Sequence, residues 1–142
     1  MAPLPWIPDA IRERLLADVV FAGLLEPDRV VFDQPPDVTV PFATIQVPGN
    51  IPISGDGVAY SPLVQVDGWC PTSDPAAARI VWDIASAAGL VLGRSRNISY
   101  GSINYSARIT DGPMSGPLDV SRGSASPLKR ALIRAELRVH SL

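Results

Sequence analysis

Reactive side chains are scarce in this chain. It has one cysteine, Cys70, so no intramolecular disulfide can form. Cys70 follows Trp69 at the end of an apolar run and is expected to be a buried thiol. It has one histidine, His140, which excludes a multi-histidine metal site. A histidine–cysteine nucleophile pair would need His140 and Cys70 together, and neither lies in a supporting motif. No Gly-x-x-x-x-Gly-Lys-Ser/Thr phosphate loop occurs. Gly89 and Gly93 lack the strand–turn–helix context of a dinucleotide fingerprint. Gly112–Gly116 does not match the Gly-x-Ser-x-Gly elbow. No apolar run approaches the roughly 18 residues of a membrane span. Met1–Pro8 lacks the basic region and apolar stretch of a secretory signal. The chain is therefore expected to be soluble and made in a reducing cytoplasm. The sequons Asn97-Ile98-Ser99 and Asn104-Tyr105-Ser106 then read as chance. No catalytic, cofactor-binding or metal-ligating set emerges, and the expectation is a protein that is not an enzyme and works by contact.

What is present is a globular composition. The 142 residues are 46% hydrophobic and 18% charged, enough for one domain spanning 1–142 with a real core. The low charge mildly favours an oligomer. Fifteen prolines, about twice average usage, are scattered as loop punctuation. The net charge of −2 is uneven. Residues 1–74 hold ten acids against three arginines, −7, and residues 75–142 hold nine bases against four acids, +5. If the fold keeps these halves apart, copies could pair head to tail; if the halves interleave, the asymmetry averages out.

Local patterns give an element order of α-β-β-β-α-β-β. A first helix runs from Pro8-Asp9 to about Ala22, with Ile11, Leu15, Val19 and Ala22 on one face, and stops before Pro27. Arg29–Asp33 reads as a short strand. Phe42–Val47 is a second strand ended by Pro48-Gly49, and Asn50–Gly57 is a long loop or hairpin tip. Leu63–Cys70 is a third strand with Val64 and Val66 towards the core. Asp74-Pro75 opens a second helix. Its stripe is Ala77, Ile80, Val81, Ile84, Ala85, Ala88 and Leu92, and Gly89 or Gly93 ends it. Ile103–Thr110 is a strand, and Asp111–Ser126 a loop longer than the usual 12–15-residue limit (about). The segment Leu128–His140 is rich in helix formers, but Ala131, Ile133, Ala135, Leu137 and Val139 alternate with Leu132, Arg134, Glu136, Arg138 and His140. That period of two makes it a strand. The expected fold class is α+β: a mostly antiparallel β-sheet with two α-helices packed on one face.

The candidate contact residues lie in the loops and at one helix end. Asn50–Gly57 offers Ile51, Ile53 and Asp56, and Gly112–Ser126 offers Met114, Leu118 and Arg122; the alternative is surface loops without a partner. Arg94 and Arg96 flank the second helix end near Tyr100. With Arg108 and Arg122 they could touch nucleic acid, although cations also favour helix C-termini and a pI near 5.2 is far from that of a typical nucleic-acid binder. Asp111 and Asp119 read as solvated loop carboxylates.

The order of segments resembles the tail terminator (tail completion) proteins of long-tailed, siphovirus-like bacteriophages. The residues that carry it are Ile11–Asp18, Arg29-Val30-Val31-Phe32, Pro41-Phe42-Ala43-Thr44-Ile45, Val64–Cys70, Asp74–Ala88 and Arg134–Val139, over roughly residues 9–140. The Pro48–Pro52 segment and the Asp111–Ser126 loop follow no pattern of that family. The resemblance implies a virion structural protein, assembled in the host cytoplasm, that forms a homo-oligomeric ring, usually a hexamer, on the head-proximal end of the tail. Its partners would be its own copies, the tail tube protein and a head-completion or neck protein. DNA would be only cargo in the ring lumen, and no membrane, cofactor or metal is implied. The alternatives are another head–tail connector, such as a neck ring protein, or a small nucleic-acid-binding module.

Overall fold

The computed structural model describes residues 5–52, 59–117 and 127–141. Helix α1 spans Ile7–Leu16, with Pro8 in its first turn and Ile11 and Leu15 fully buried. The helix does not continue to Ala22 as its periodicity suggests. Asp18 adopts an extended backbone, its carboxylate accepts from the Phe21 amide at 3.0 Å, and a separate turn, α2 (Val19–Ala22), begins. Capping restarts the chain in a new direction. Phe21 then takes the core position, and Val19, expected inside, is 87% exposed.

A 3₁₀ turn at Pro27–Arg29 leads into β1 (Val30–Val31). Arg12 fastens it to α1, donating to the carbonyls of Val30 and Pro27 at 2.8 and 2.7 Å. The remaining strands are β2 (Phe42–Pro52), β3 (Ala59–Pro71), β4 (Ile98–Tyr100), β5 (Ile103–Ser115) and β6 (Leu128–Ser141), in the order β1-β2-β3-β6-β5-β4. Only β1 and β2 run parallel. The α+β expectation holds, and β6 is indeed a strand, lying at the centre of the sheet between β3 and β5.

Three strands are longer than their punctuation suggests; β3 already begins at Ala59, four residues before the expected Leu63, and runs through Pro62. Pro48-Gly49 does not end β2. The pairing with β3 shifts between Gln46 and Gly49, and the strand resumes through Pro52, taking in the first residues of the expected loop. A bulge accommodates the missing proline N–H. Likewise β5 absorbs Asp111–Ser115 through two register shifts, before Asp111 and before Met114. Gly112 sits there at φ +86, where a Cβ would lie 2.5 Å from the Leu132 carbonyl oxygen, so no other residue fits. The short β4, absent from the expectation, pairs with Ile103–Tyr105.

Helix α3 (Ala77–Gly93) starts two residues after Asp74-Pro75; Asp74 Oδ1 still accepts from the Ala76 amide at 2.8 Å. It passes through Gly89 and ends at Gly93. Its stripe of Ala77, Val81, Ile84, Ala85, Ala88 and Leu92 is buried against β3, β5 and β6, together with Ile11 and Leu15 of α1. Contact is closest at Gly68 of β3, where a Cβ would fall 2.9 Å from the Ile84 side chain and 3.0 Å from the Val81 carbonyl oxygen.

Gly68→Ala is expected to push α3 off the sheet and lower stability by about 1–3 kcal/mol. Gly89→Ala places its Cβ at an ordinary 3.5 Å from Ile133 and, by helix propensity, should gain up to about 1 kcal/mol. Urea unfolding of both variants checks the pair; a fully stable Gly68→Ala protein would show that the helix can retreat at no cost.

Candidate functional site: the open face and edges of the sheet

The face of the sheet away from the helices is not a solvated surface. Arg29 donates to the carbonyls of Pro41, Asp37 and Val40 and so folds the loop before β2 back over Phe42. Its guanidinium lies 5.6 Å from the Phe42 ring, Phe42 stacks on Trp69 at 6.1 Å, and Arg130 lies 5.2 Å over Trp69. This cation–aromatic–aromatic–cation row crosses β2, β3 and β6. Val38, Phe42 and Leu128 form a small second core beneath the loop.

Beside that row sits a polar network. Asp67 is 1% exposed. Gln65 Nε2 donates to both of its carboxylate oxygens at 3.0 Å, and Arg134 Nε donates to Gln65 Oε1 at 2.9 Å. Arg130 Nε stands 3.7 Å from Asp67, too far to hydrogen-bond. Thr44 Oγ1 accepts from Trp69 Nε1 at 2.9 Å. Burial raises the Asp67 carboxyl above its ordinary 3.8, against the lowering effects of Gln65, Arg130, Arg134 and Thr44. The sequence shows Gln65, Asp67 and Trp69 only as the polar side of a strand. The signal that could have located the network is a carboxylate mid-strand with two arginines four apart on another strand.

The candidate contact residues do not converge. Arg94 ends α3, donating to the Leu90 carbonyl at 3.1 Å and standing 3.7 Å from Asp18. Arg96 is tied to the carbonyls of Ser95 and Ala107. Tyr100 donates to the Asp9 carboxylate, which holds the phenol above its usual range. These three lie near α1 and β4. Met114 is at the far end of β5, opposite Leu132 and 37% exposed. Ile51 belongs to β2 and pairs with Ser61. Ile53, Asp56, Leu118 and Arg122 lie outside the described residues.

A hollow of about 200 Å³ opens between the start of α1 and the β2–β3 hairpin, lined by Trp6, Ile7, Pro8, Val47, Tyr60 and Pro62. Trp6 is 58% exposed and packs against Phe32 at 4.4 Å. The Tyr60 hydroxyl is buried, finds no hydrogen-bond partner among the described residues, and titrates above its usual range because of that burial. Sequence reading passed over Trp6 and Tyr60 because neither stands in a motif. Further exposed aliphatic side chains, Val19, Val20, Leu24 and Leu90, lie on and around α2 and α3.

The strand order also separates the charge. Among the described residues, 24–74 supply β1, β2 and β3 and carry Arg29 against six carboxylates, −5; 94–141 supply β4, β5 and β6 and carry seven cations against two carboxylates, +5. One side of the sheet is acidic and the other basic. Cys70 is a buried thiol that burial and Asp74 push up. It pairs with Lys129, eleven residues along β6 from His140, or about 36 Å at strand rise, so the two cannot form a nucleophile pair. Among the described residues, no three His, Cys, Asp or Glu side chains cluster to hold a metal, and no helix is long and apolar enough to cross a membrane. No protein-family model matches the chain, and no curated protein matches it.

Two outcomes test the buried polar groups. The native state holds the Asp67 proton more tightly than the unfolded chain. Its contribution to stability is therefore present below pH 3.8 and is lost as pH rises through the folded value. Wild-type stability minus that of Asp67→Asn should decline over that interval and flatten above it; a difference growing with pH would mean the arginines outweigh burial. Tyr60→Phe removes a buried hydroxyl that lacks a partner among the described residues and should leave stability equal or raise it by about 1 kcal/mol, read from thermal unfolding.

Proposed function

We propose that this chain is a structural subunit of a long-tailed bacteriophage virion, a tail terminator that assembles as a ring on the head-proximal end of the tail tube. The observation that carries the reading is the opposed charge on the two sides of one sheet. Such a subunit presents unlike surfaces to its two neighbours, which is what a head-to-tail contact requires, and head-to-tail contacts close into rings when the rotation per subunit divides a full turn. The order of segments resembling tail terminators supplies the rest. Capping needs no chemistry beyond contact: one ring surface matches the tube end, and the opposite one offers no site for another tube subunit.

The partners on this reading are copies of the chain, the tube protein below and a neck protein above. DNA passes through the lumen as cargo. A net charge of −2 suits passage better than retention, since tight binding would require many phosphate-neutralising cations.

Purified chain added to polymerising tube subunits should shorten the tube length distribution in negative-stain micrographs, with a ring at one end. Unchanged lengths with a ring still present would favour a neck protein. A salt-dependent DNA gel shift near physiological ionic strength, without rings, would favour a nucleic-acid-binding module.

A further inference from the structure

The basic side of the sheet gathers three guanidiniums round one hollow. On the open face, Ser106 pairs with Arg138 and Arg108 with Glu136 across β5 and β6. Arg108 and Arg138 are therefore diagonal neighbours, about 7–8 Å apart at the backbone. Arg96, from the connection between α3 and β4, lines the same hollow of about 200 Å³, and no second carboxylate does. Three cations against one carboxylate leave +2 there. Two of the arginines are held in place. Arg96 spends Nη1 on the carbonyls of Ser95 and Ala107, and Arg108 spends Nη2 on Glu136 at 3.3 Å. Their other nitrogens, and the whole of the exposed Arg138 head, have no partner among the described residues. Ser106 Oγ accepts from the Asn97 amide at 3.0 Å, which leaves its own proton free to donate. The hollow thus offers unused donors from four residues, and its one acidic group is already paired with Arg108.

We propose that this hollow binds phosphate, with Arg96, Arg108, Arg138 and Ser106 donating to its oxygens. Guanidinium forks match phosphate oxygens in pairs, and the anion relieves the repulsion of like charges set side by side on one face. A free phosphate meets all four donors at one point. A nucleic-acid backbone meets them by laying successive phosphates along the strands. No aromatic ring lines the hollow, so bases are not held by stacking and binding to nucleic acid should ignore sequence. With so few contacts per chain, it should be strong only at low ionic strength. The inference does not rest on the ring reading above; within such a ring the hollow is a passing contact for DNA and not an anchor.

The test uses the full chain, with a short fluorescein-labelled DNA duplex followed by anisotropy over a salt series that starts at low ionic strength. Arg138→Gln should weaken binding roughly 5-fold and flatten the log–log salt dependence by about 1, the mark of one lost phosphate contact. Glu136→Gln should strengthen it roughly 3-fold by removing the opposing carboxylate. Arg79→Gln makes the same change in net charge on the exposed side of α3, away from the hollow, and should leave binding unaltered. Circular dichroism verifies that the variants fold. Sodium phosphate, set against sodium chloride at equal ionic strength, separates the two sources. Displacement of the duplex together with shifts of the Arg96, Arg108 and Arg138 Nε–Hε resonances supports a site for a single phosphate; binding of the duplex with the same variant pattern but no such displacement supports a site for the backbone. Equal weakening by Arg138→Gln and Arg79→Gln, no binding of either probe at low ionic strength, or displacement by polyglutamate as effective as by unlabelled DNA at equal charge, overturns the assignment. None of these outcomes touches the capping of tubes, which is read from tube lengths.

Discussion

The register of β6 is the constraint on which the rest of the molecule depends. Along this strand Ala131, Ile133, Ala135, Leu137 and Val139 face the helices and are buried, while Arg130, Arg134, Glu136 and Arg138 face the other way. A slip of one residue would exchange the two sets, driving three guanidiniums and a carboxylate into the apolar layer beneath α3. Each misplaced aliphatic side chain forfeits about 1.5–3 kcal/mol, and the buried charges cost more. A domain stable by about 5–15 kcal/mol cannot absorb that. Because β6 hydrogen-bonds to β3 on one side and β5 on the other, fixing it also fixes the two strands that carry the hollow and Met114.

The open face reinforces the same register by a different interaction. Trp69 meets Arg130, and Gln65 meets Arg134, only when β3 and β6 are aligned as they are. The network holds a carboxylate out of water at a cost, and replacing such groups with apolar ones is often stabilising. Its return is alignment: a shifted β3 would leave Asp67 beside no cation and Gln65 without its arginine donor. Buried polar groups here act as a register check, with the apolar face supplying most of the free energy.

This division explains what could be read from the residues. The apolar side of β6 was legible because alternation overrides the helix propensity of Leu, Lys, Arg, Ala and Glu. The stripe of α3 was legible because burial follows the 3.6-residue period. The first helix was misread past Ala17 because a capping aspartate outcompeted a continuous stripe, and nothing in the apolar spacing announces that. Pro48 was misread as a strand end and Gly112-Pro113 as part of a loop because proline and glycine signal termination and bulge alike; the choice between them is made by the partner strand, which local sequence does not contain. For the same reason the surfaces were the least legible. Asp67, Trp69 and Arg130 become neighbours only through a pairing of residues some 60 apart, and Trp6 meets Tyr60 only through the start of α1 lying against a hairpin.

The charge pattern connects these levels. In the chain it is a gradient, acidic first and basic last. A sheet that alternated early and late strands would have cancelled it. The order β1-β2-β3-β6-β5-β4 cancels it only at the central β3–β6 seam, where Asp67 lies near Arg130 and Arg134. Away from that seam each side keeps its own sign. Surface ion pairs within the subunit, such as Arg108–Glu136 at 3.3 Å, contribute little to folding. Charge that folding leaves unneutralised on opposite sides of a subunit remains available for steering neighbours and setting their orientation. Like sides of two copies repel and unlike sides attract, a bias that a contact repeated head to tail, as proposed above, would satisfy.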